Sequence, residues 1–248
     1  MSSTEERVAI VTGASQGLGY AIAAKLVQEG KKVAFVSLGL DSVKAEFERE
    51  TGEGRVIFCE MDVSDNAAIA RCVEDVTRSW GRIDILVNNA GIRTETAIEE
   101  IGPEEWNRIM AVNLGGTFFF SQAVVPVMKE QKWGRIINMS SFGGQFGPLT
   151  SSAAYSASKA GQIALAKVFA RTLAEYGITV NAIAPAAIRT PEMDKIPADA
   201  LAGMVRTIPV GRVGEAAEVA ELVSYLVSDY GGFVTGATMD INGGRLMR

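Results

Sequence analysis

The stretch Arg7-Val8-Ala9-Ile10-Val11-Thr12-Gly13-Ala14-Ser15-Gln16-Gly17-Leu18-Gly19 decides the fold. Its opening RVAIVT is apolar and β-branched and reads as a buried strand. The GASQGLG that follows leads into an amphipathic run, Gly17–Glu29, closed by Gly30. A strand that passes through glycines into a helix brings backbone close to a pyrophosphate. The helix N-terminus then supplies N–H donors and a positive dipole end. The spacing is GxxxGxG rather than the commoner GxGxxG, and its place after the first strand gives it meaning.

Outward from this stretch, short apolar runs alternate with longer amphipathic ones. Strands are predicted at Lys32–Ser37, Arg55–Met61, Ile83–Asn88, Arg135–Ser140, Thr179–Ala184 and Ala237–Ile241. Helices are predicted at Ser42–Glu50, Asn66–Trp80, Pro103–Glu130, Ala153–Tyr176 and Glu215–Ser228. Such alternation implies parallel strands joined by right-handed helical crossovers, with helices on both faces. The expectation is a single doubly wound α/β domain of Rossmann type over residues 1–248, without repeats or linkers. Thr190–Arg212 breaks the rhythm with Pro191, Pro197 and Pro209 and is a candidate substrate lid.

Composition narrows the chemistry. With 48% hydrophobic and 21% charged residues the chain is expected to fold as a globular protein. A net charge of −5 gives no overall field for nucleic acid, so no such partner is expected. The start, MSSTEERVAIV, lacks the features of a secretory signal, and no apolar stretch reads as long enough to cross a membrane. Cys59 and Cys72 show no metal-ligand spacing and read as filler in a reducing cytoplasm. The absence of histidine excludes Ser-His-Asp and Cys-His catalysis and histidine-bound zinc, and no metal is expected. Acid–base work falls to Tyr, Lys, Asp, Glu, Cys or water.

Tyr155 and Lys159 stand four apart at the start of a predicted helix and so share one face. An ammonium beside a phenol favours the phenolate, as an acid or base near neutral pH requires. Ser141 lies just past the fifth strand, at the sheet edge where α/β folds bind ligands. Asn88-Asn89-Ala90-Gly91 closes the fourth strand at that edge, and Asn113 follows in the next helix. At the end of the second strand, Ser37-Leu38-Gly39 offers no carboxylate to repel a 2′-phosphate. Gln16 offers no charge to hold one, and Lys44 is a candidate substitute. NADP is slightly favoured and NAD stays open.

Taken in order, TGASQGLG (12–19), Asp62, NNAG (88–91), Asn113, Ser141, YSASK (155–159), Pro185 to Thr190 and VTGATMDINGG (234–244) resemble the short-chain dehydrogenase/reductase family along nearly the whole chain. The resemblance implies hydride transfer between NAD(P) and a ketone or secondary alcohol. It implies that Tyr155 passes the proton, Lys159 lowers its pKa and holds the nicotinamide ribose, and Ser141 hydrogen-bonds the carbonyl. Asn113 would anchor a water relaying protons from Lys159. Asp62 would meet the adenine, Asn89 the adenine-side ribose region, and Thr190 the nicotinamide amide. The cofactor set it implies is Gly13, Ser15, Gln16, Gly17, Leu18, Gly19, Ser37, Asp62, Val63, Asn89, Ala90, Gly91, Tyr155, Lys159, Pro185, Ile188 and Thr190.

Three alternatives read such residues as structure: Asp62 as a helix cap near Ser64, Asn113 as a helix-interior kink or cap, and Thr190-Pro191 as a turn. Pro185-Ala186 departs from the family's Pro-Gly. Leu149-Thr150-Ser151-Ser152 would wall the substrate pocket. Within the family, the tail and the stretch TIPVGRVGEAAEVAE look most like 3-oxoacyl-thioester reductases, including acetoacetyl-CoA reductases. A sugar, polyol or small-alcohol dehydrogenase is the alternative, and a non-catalytic dinucleotide sensor the reading from another class. The two long helices are too apolar for one solvent face each, and Phe118-Phe119-Phe120 reads as core or interface. A homo-oligomer is expected, and the family resemblance implies a tetramer.

Overall fold

The computed structural model describes residues 6–147, 150–191, 193 and 196–247. Strands β1 (Val8–Thr12), β2 (Lys32–Ser37), β3 (Val56–Glu60), β4 (Ile85–Asn88), β5 (Gly134–Met139), β6 (Ile178–Pro185) and β7 (Thr238–Ile241) form one sheet. Their order is β3-β2-β1-β4-β5-β6-β7, and every pairing is parallel. The helices are α1 (Gly17–Gln28), α2 (Asp41–Lys44), α3 (Glu48–Gly52), α4 (Asn66–Trp80), α5 (Pro103–Ile109), α6 (Gly116–Gln131), α7 (Gly143–Phe146), α8 (Ala153–Leu173), α9 (Ala198–Val205) and α10 (Ala216–Val227).

The period-two alternation of side chains along a strand divides the interior into two cores. Ala9 and Val11 of β1 and Val33 and Phe35 of β2 face Ile22 and Leu26 of α1 and Val219, Val223 and Leu226 of α10. Val8 and Ile10, with Ala34 and Val36, face Ile69 and Val76 of α4, Phe120, Val124 and Met128 of α6, and Ala166 and Ala170 of α8. Both faces of the central strands are dry, which is why those strands read as unbroken apolar runs. Asp84, fully buried before β4, accepts from Val8 N at 2.9 Å and from Arg82 Nε and Nη2 at 2.8 Å each, tying β4 to β1.

Three expectations change. The helix foreseen over Ser42–Glu50 is two short pieces, α2 and α3, because the intervening Phe47 turns inward against Phe35 with ring centroids 5.0 Å apart. The long helix is continuous from Pro103 to Gln131, but Met110–Gly115 is a π-helical turn between α5 and α6. That continuous helix is, by length and composition, apolar enough to cross a membrane, contrary to the sequence reading. Its apolar side chains Phe120, Val124 and Met128 are fully buried against the sheet.

Candidate active site

The strand order reverses between β1 and β4, so the loops that leave them diverge and open a crevice at the carboxyl edge. The two loops are tied together at their base. Thr12 Oγ1 accepts from Asn89 N and Ala90 N, both at 3.0 Å. Asn89 Nδ2 donates to Thr12 O at 3.0 Å and to Gly13 O at 3.2 Å. Gly13 and Gly17 hold φ of 65° and 57°, the left-handed region open to glycine. At Gly19 an added Cβ would lie 2.1 Å from Gly13 O and 2.4 Å from Asn89 Nδ2. The glycines thus let the loop fold flat against the start of α1. That helix has no side-chain cap and no acid in its first turn, leaving a donor-rich cradle that fits a pyrophosphate.

Beside the cradle, Ser15 Oγ and Ser37 Oγ are 2.9 Å apart, so the end of β2 does meet the glycine loop. Lys44, by contrast, is held between Asp41 at 3.1 Å and Glu60 at 3.2 Å, which keeps its ammonium engaged. Asp62 accepts from Ser64 N at 2.8 Å and Oγ at 2.7 Å and pairs with Arg108 at 2.8 Å. It does not cap α4; Asp65 does, accepting from Ala67 N and Ala68 N. Val63 is buried against Gly116, and Leu18, in the first turn of α1, packs on the core. Pro185 O accepts from Phe142 N at 2.8 Å, while Ile188 is buried and bridges to Gly214.

Ser141, Tyr155, Gly91, Ile188 and Thr190 line one cavity of about 800 Å³. Thr190 also lies against Gly17. Tyr155 N donates to Ser152 Oγ at 3.3 Å, the N-cap of α8, so the cap sets the phenol's place on the helix. Ser141 Oγ accepts from Gly143 N at 2.9 Å, and its hydroxyl lies against the Tyr155 phenol. Burial pushes the phenol pKa up, against the opposing pull of Ser141 and Arg93. The Lys159 ammonium, expected to favour the phenolate, sits 5.7 Å from the ring centroid. Lys159 is itself buried, which brings its pKa down to about 8.

Asn113 lies in the π turn, fully buried. Its side chain clamps the β4 loop, accepting from Ile92 N at 2.8 Å and donating to Ile92 O at 2.9 Å, and it reaches α8 by donating to Ser158 Oγ at 3.0 Å.

The far wall of the cavity carries Arg93, Phe142, Thr150, Ser151, Met193, Ile196, Met204 and Arg245. Thr150 and Ser151 form part of the wall as expected. Ser152 does not, because it is buried as the helix cap, and Leu149 lies outside the described residues. Sequence reasoning missed Thr12, Arg93, Arg245 and Gln162. Gln162 shares the buried stripe of α8 with Lys159, Ala166 and Ala170.

Fold and site define a dinucleotide-dependent oxidoreductase. A family model described as enoyl-(acyl carrier protein) reductase matches residues 13–245, and the chain belongs to the short-chain dehydrogenase/reductase family. It is an NAD(P)-dependent enzyme of that family. It is 41% identical over 240 residues to an acetoacetyl-CoA reductase of Shinella zoogloeoides, covering 96% of this chain and 98% of the relative. It is 38% identical over 247 residues to the 3-oxoacyl-acyl-carrier-protein reductase FabG of Salmonella typhimurium, covering 99% of each. It is also 38% identical over 240 residues to a 2-dehydro-3-deoxy-L-rhamnonate dehydrogenase (NAD(+)) of a Sphingomonas species, covering 96% of this chain and 95% of that one.

The close approach at Gly19 gives a direct test of the cradle. Gly19→Ala drives a methyl into Gly13 O and is expected to weaken NAD(P)H binding at least about tenfold. Fluorescence titration of the reduced cofactor measures it, with circular dichroism checking the fold.

Proposed function

We propose that this enzyme reduces the ketone of a 3-oxoacyl thioester, with NADPH slightly favoured over NADH. The observation that carries the chemistry is the placing of the Ser141 and Tyr155 hydroxyls together at one wall of the cavity, with Lys159 behind them. The substrate class is supported by the two reductases to which the chain is similar along its whole length. In this reading the pyrophosphate rests on Gly13, Ser15, Gln16, Gly17, Leu18 and Gly19. Ser37, Asp62, Val63, Asn89, Ala90 and Gly91 would hold the cofactor's adenosine side. Pro185, Ile188 and Thr190 hold the nicotinamide end. The cofactor supplies the hydride to the ketone carbon.

Ser141 Oγ and Tyr155 Oη donate to the ketone oxygen, polarising it and fixing its face. Tyr155 gives up its proton as the oxygen gains charge, and the Lys159 ammonium favours the phenolate left behind. Asn113 keeps the β4 loop and α8 in register, so that Tyr155 and Lys159 stay aligned. Segment 190–212 serves as the lid; its described residues Thr190, Met193, Ile196 and Met204 line the cavity. Residues 192, 194 and 195 lie outside the described set. The enzyme works in the cytoplasm, where Cys59 and Cys72 remain thiols.

One feature favours a second reading. Arg93 and Arg245 both border the cavity, and either suits the carboxylate of a sugar acid such as the named substrate of the Sphingomonas relative. The phosphate groups of the coenzyme A or carrier-protein arm that carries a 3-oxoacyl thioester would meet the same arginines.

Tyr155→Phe keeps the ring and removes the proton. Turnover is expected to fall at least about a hundredfold, with cofactor binding nearly retained. Loss of NADPH absorbance with acetoacetyl-CoA, a 2-keto sugar acid and a diketone reads both the effect and the substrate class. Near-normal turnover in the variant refutes the mechanism.

Ser37→Asp sets a carboxylate beside Ser15, where a 2′-phosphate would lie. It is expected to weaken NADP and improve NAD relative to it. Parallel titrations of the two proteins decide the point; an unchanged ratio means that Ser37 does not face the ribose.

The long helices leave Trp106, Phe119 and Val168 exposed, and a second patch carries Tyr225, Tyr230 and Phe233. Two separate apolar faces suit a tetramer of dihedral symmetry, each face meeting its own copy. Light scattering with size exclusion is expected to give about four chain masses. A mass near the 26.4 kDa of one chain refutes assembly.

A further inference from the structure

Lys159 is the most demanding group in the site, because a buried ammonium without acceptors discharges. It has two. Nζ donates to Met139 O at 2.7 Å and to Gln162 Oε1 at 3.0 Å. Gln162 lies about a turn further along α8 and is fully buried. Its Nε2 donates to Asn113 O at 2.9 Å and to Thr117 Oγ1 at 2.6 Å. The Thr117 hydroxyl spends its own proton on Asn113 O at 2.8 Å, so it can only accept from Gln162.

These contacts fix which way the amide points. Turned over, Gln162 would set Oε1 against the Asn113 carbonyl, acceptor on acceptor, and Nε2 against the ammonium, donor on donor. The carbonyl of Gln162 therefore faces Lys159. The family resemblance implies a water on Asn113 that serves Lys159. In this chain the Asn113 carbonyl already accepts from two side chains, and the link from it to Lys159 runs through the Gln162 amide.

We propose that Gln162 is a positioning residue for the reaction: its amide, locked by Asn113 and Thr117, holds the Lys159 ammonium charged and in place behind Tyr155. This rests on the reading of Tyr155 as proton donor and Lys159 as its electrostatic partner. The groups around Lys159 are few. Tyr155 on its own helix is titratable. Met139 and Ser140 at the end of β5, Gly91 in the β4 loop, Asn113 in the π turn and Gly144 on α7 carry no charge. Arg93 acts on the Tyr155 phenol from across the cavity. Burial lowers the pKa of Lys159, and a carbonyl that accepts from the ammonium favours its charged form.

The test uses the full-length enzyme with isotope-labelled lysine, the Lys159 resonance being the one missing from Lys159→Ala. Gln162→Met fills the space without an acceptor. Its Lys159 titration midpoint is expected to fall by about one pH unit, the worth of one hydrogen bond to a charged group. The rise of kcat/KM with pH in the alcohol-oxidising direction moves to higher pH, since a neutral lysine no longer favours the phenolate. A purely structural role for Gln162 lowers kcat at every pH and moves neither midpoint. Thr117→Val removes one lock on the amide without touching Lys159, and a shift in the same direction of about half a unit is expected. An unmoved Lys159 midpoint in folded Gln162→Met overturns the proposal. Where that variant does not fold, an unmoved midpoint in Thr117→Val does so. Failure of the wild-type enzyme to turn over any ketone or alcohol counts against the function proposed above, while the lysine titration still decides this one.

Discussion

The site depends on the joining of two loops that the topology sends apart. The crossovers from β1 and β4 run to opposite faces of the sheet, so a crevice opens between them without further design. A crevice is useful only if its floor is rigid, and the floor is the cross-link of Thr12 with Asn89 and Ala90. The side chain of Thr12 takes two backbone N–H groups of the β4 loop, and the side chain of Asn89 takes two backbone carbonyls of the β1 loop. Each loop thereby satisfies polar groups that the other leaves over. The absence of a side chain at Gly19 follows from the same constraint, since no other residue fits between Gly13 O and the Asn89 amide.

A second constraint is the buried charge. Removing an ammonium from water is costly unless acceptors replace the solvent, and the polypeptide supplies them from two elements braced by a third. Met139 O is the last carbonyl of β5, Gln162 belongs to α8, and Asn113 behind it belongs to the π turn. The network continues through Thr117 O to Ser121 Oγ and on to Asn88 and Asn138 at the ends of β4 and β5. Such a chain fits one arrangement of these elements, which is how polar groups in a core specify geometry, and within it Asn88 Oδ1 is left buried without a partner. The π turn takes part directly: it carries Asn113, whose side chain holds Ile92 and Ser158 while its carbonyl faces Gln162. The close seat of α7 on α8 adds to the fixity, for a Cβ at Gly144 would lie 2.6 Å from the Lys159 carbonyl carbon.

The legibility of these features in the sequence follows from how local they are. β2 over Lys32–Ser37 and α4 over Asn66–Trp80 fall where the apolar pattern puts them, because period two and period 3.6 are properties of neighbouring residues. The split of α2 from α3 was not readable, since it depends on Phe47 finding Phe35 across the core. Nor was the π turn, because one extra residue in a turn barely disturbs an apolar helix pattern. Tyr155, Lys159 and Ser141 were legible as chemistry of rare type at a strand edge. Gln162 was not, since glutamine on a helix ordinarily faces water and its partners Asn113 and Thr117 lie 49 and 45 positions away. Asn89 was assigned to ribose contact, and its amide is found bracing the loop carbonyls, a role visible only once the two loops are side by side.

The cavity shows how such a frame separates reaction from selectivity. Its inner wall comes from strand ends and the first turns of α8, where Ser141, Tyr155 and Lys159 are held by backbone and buried side chains. Its outer wall comes from segments outside the sheet: the stretch after β5, the 190–212 excursion, and Arg245 beyond β7. Arg93 stands between the two. Its guanidinium is engaged by Glu95 and the Thr150 carbonyl, so it links the β4 loop to the outer wall while its charge bears on the Tyr155 phenol. A substrate anion drawn to Arg93 would offset the charge that opposes the raised pKa of Tyr155. Binding such a group would thus favour the protonated phenol, the form that donates in ketone reduction. Arg93 at the rim is thus coupled through its charge to the Tyr155 phenol inside the cavity.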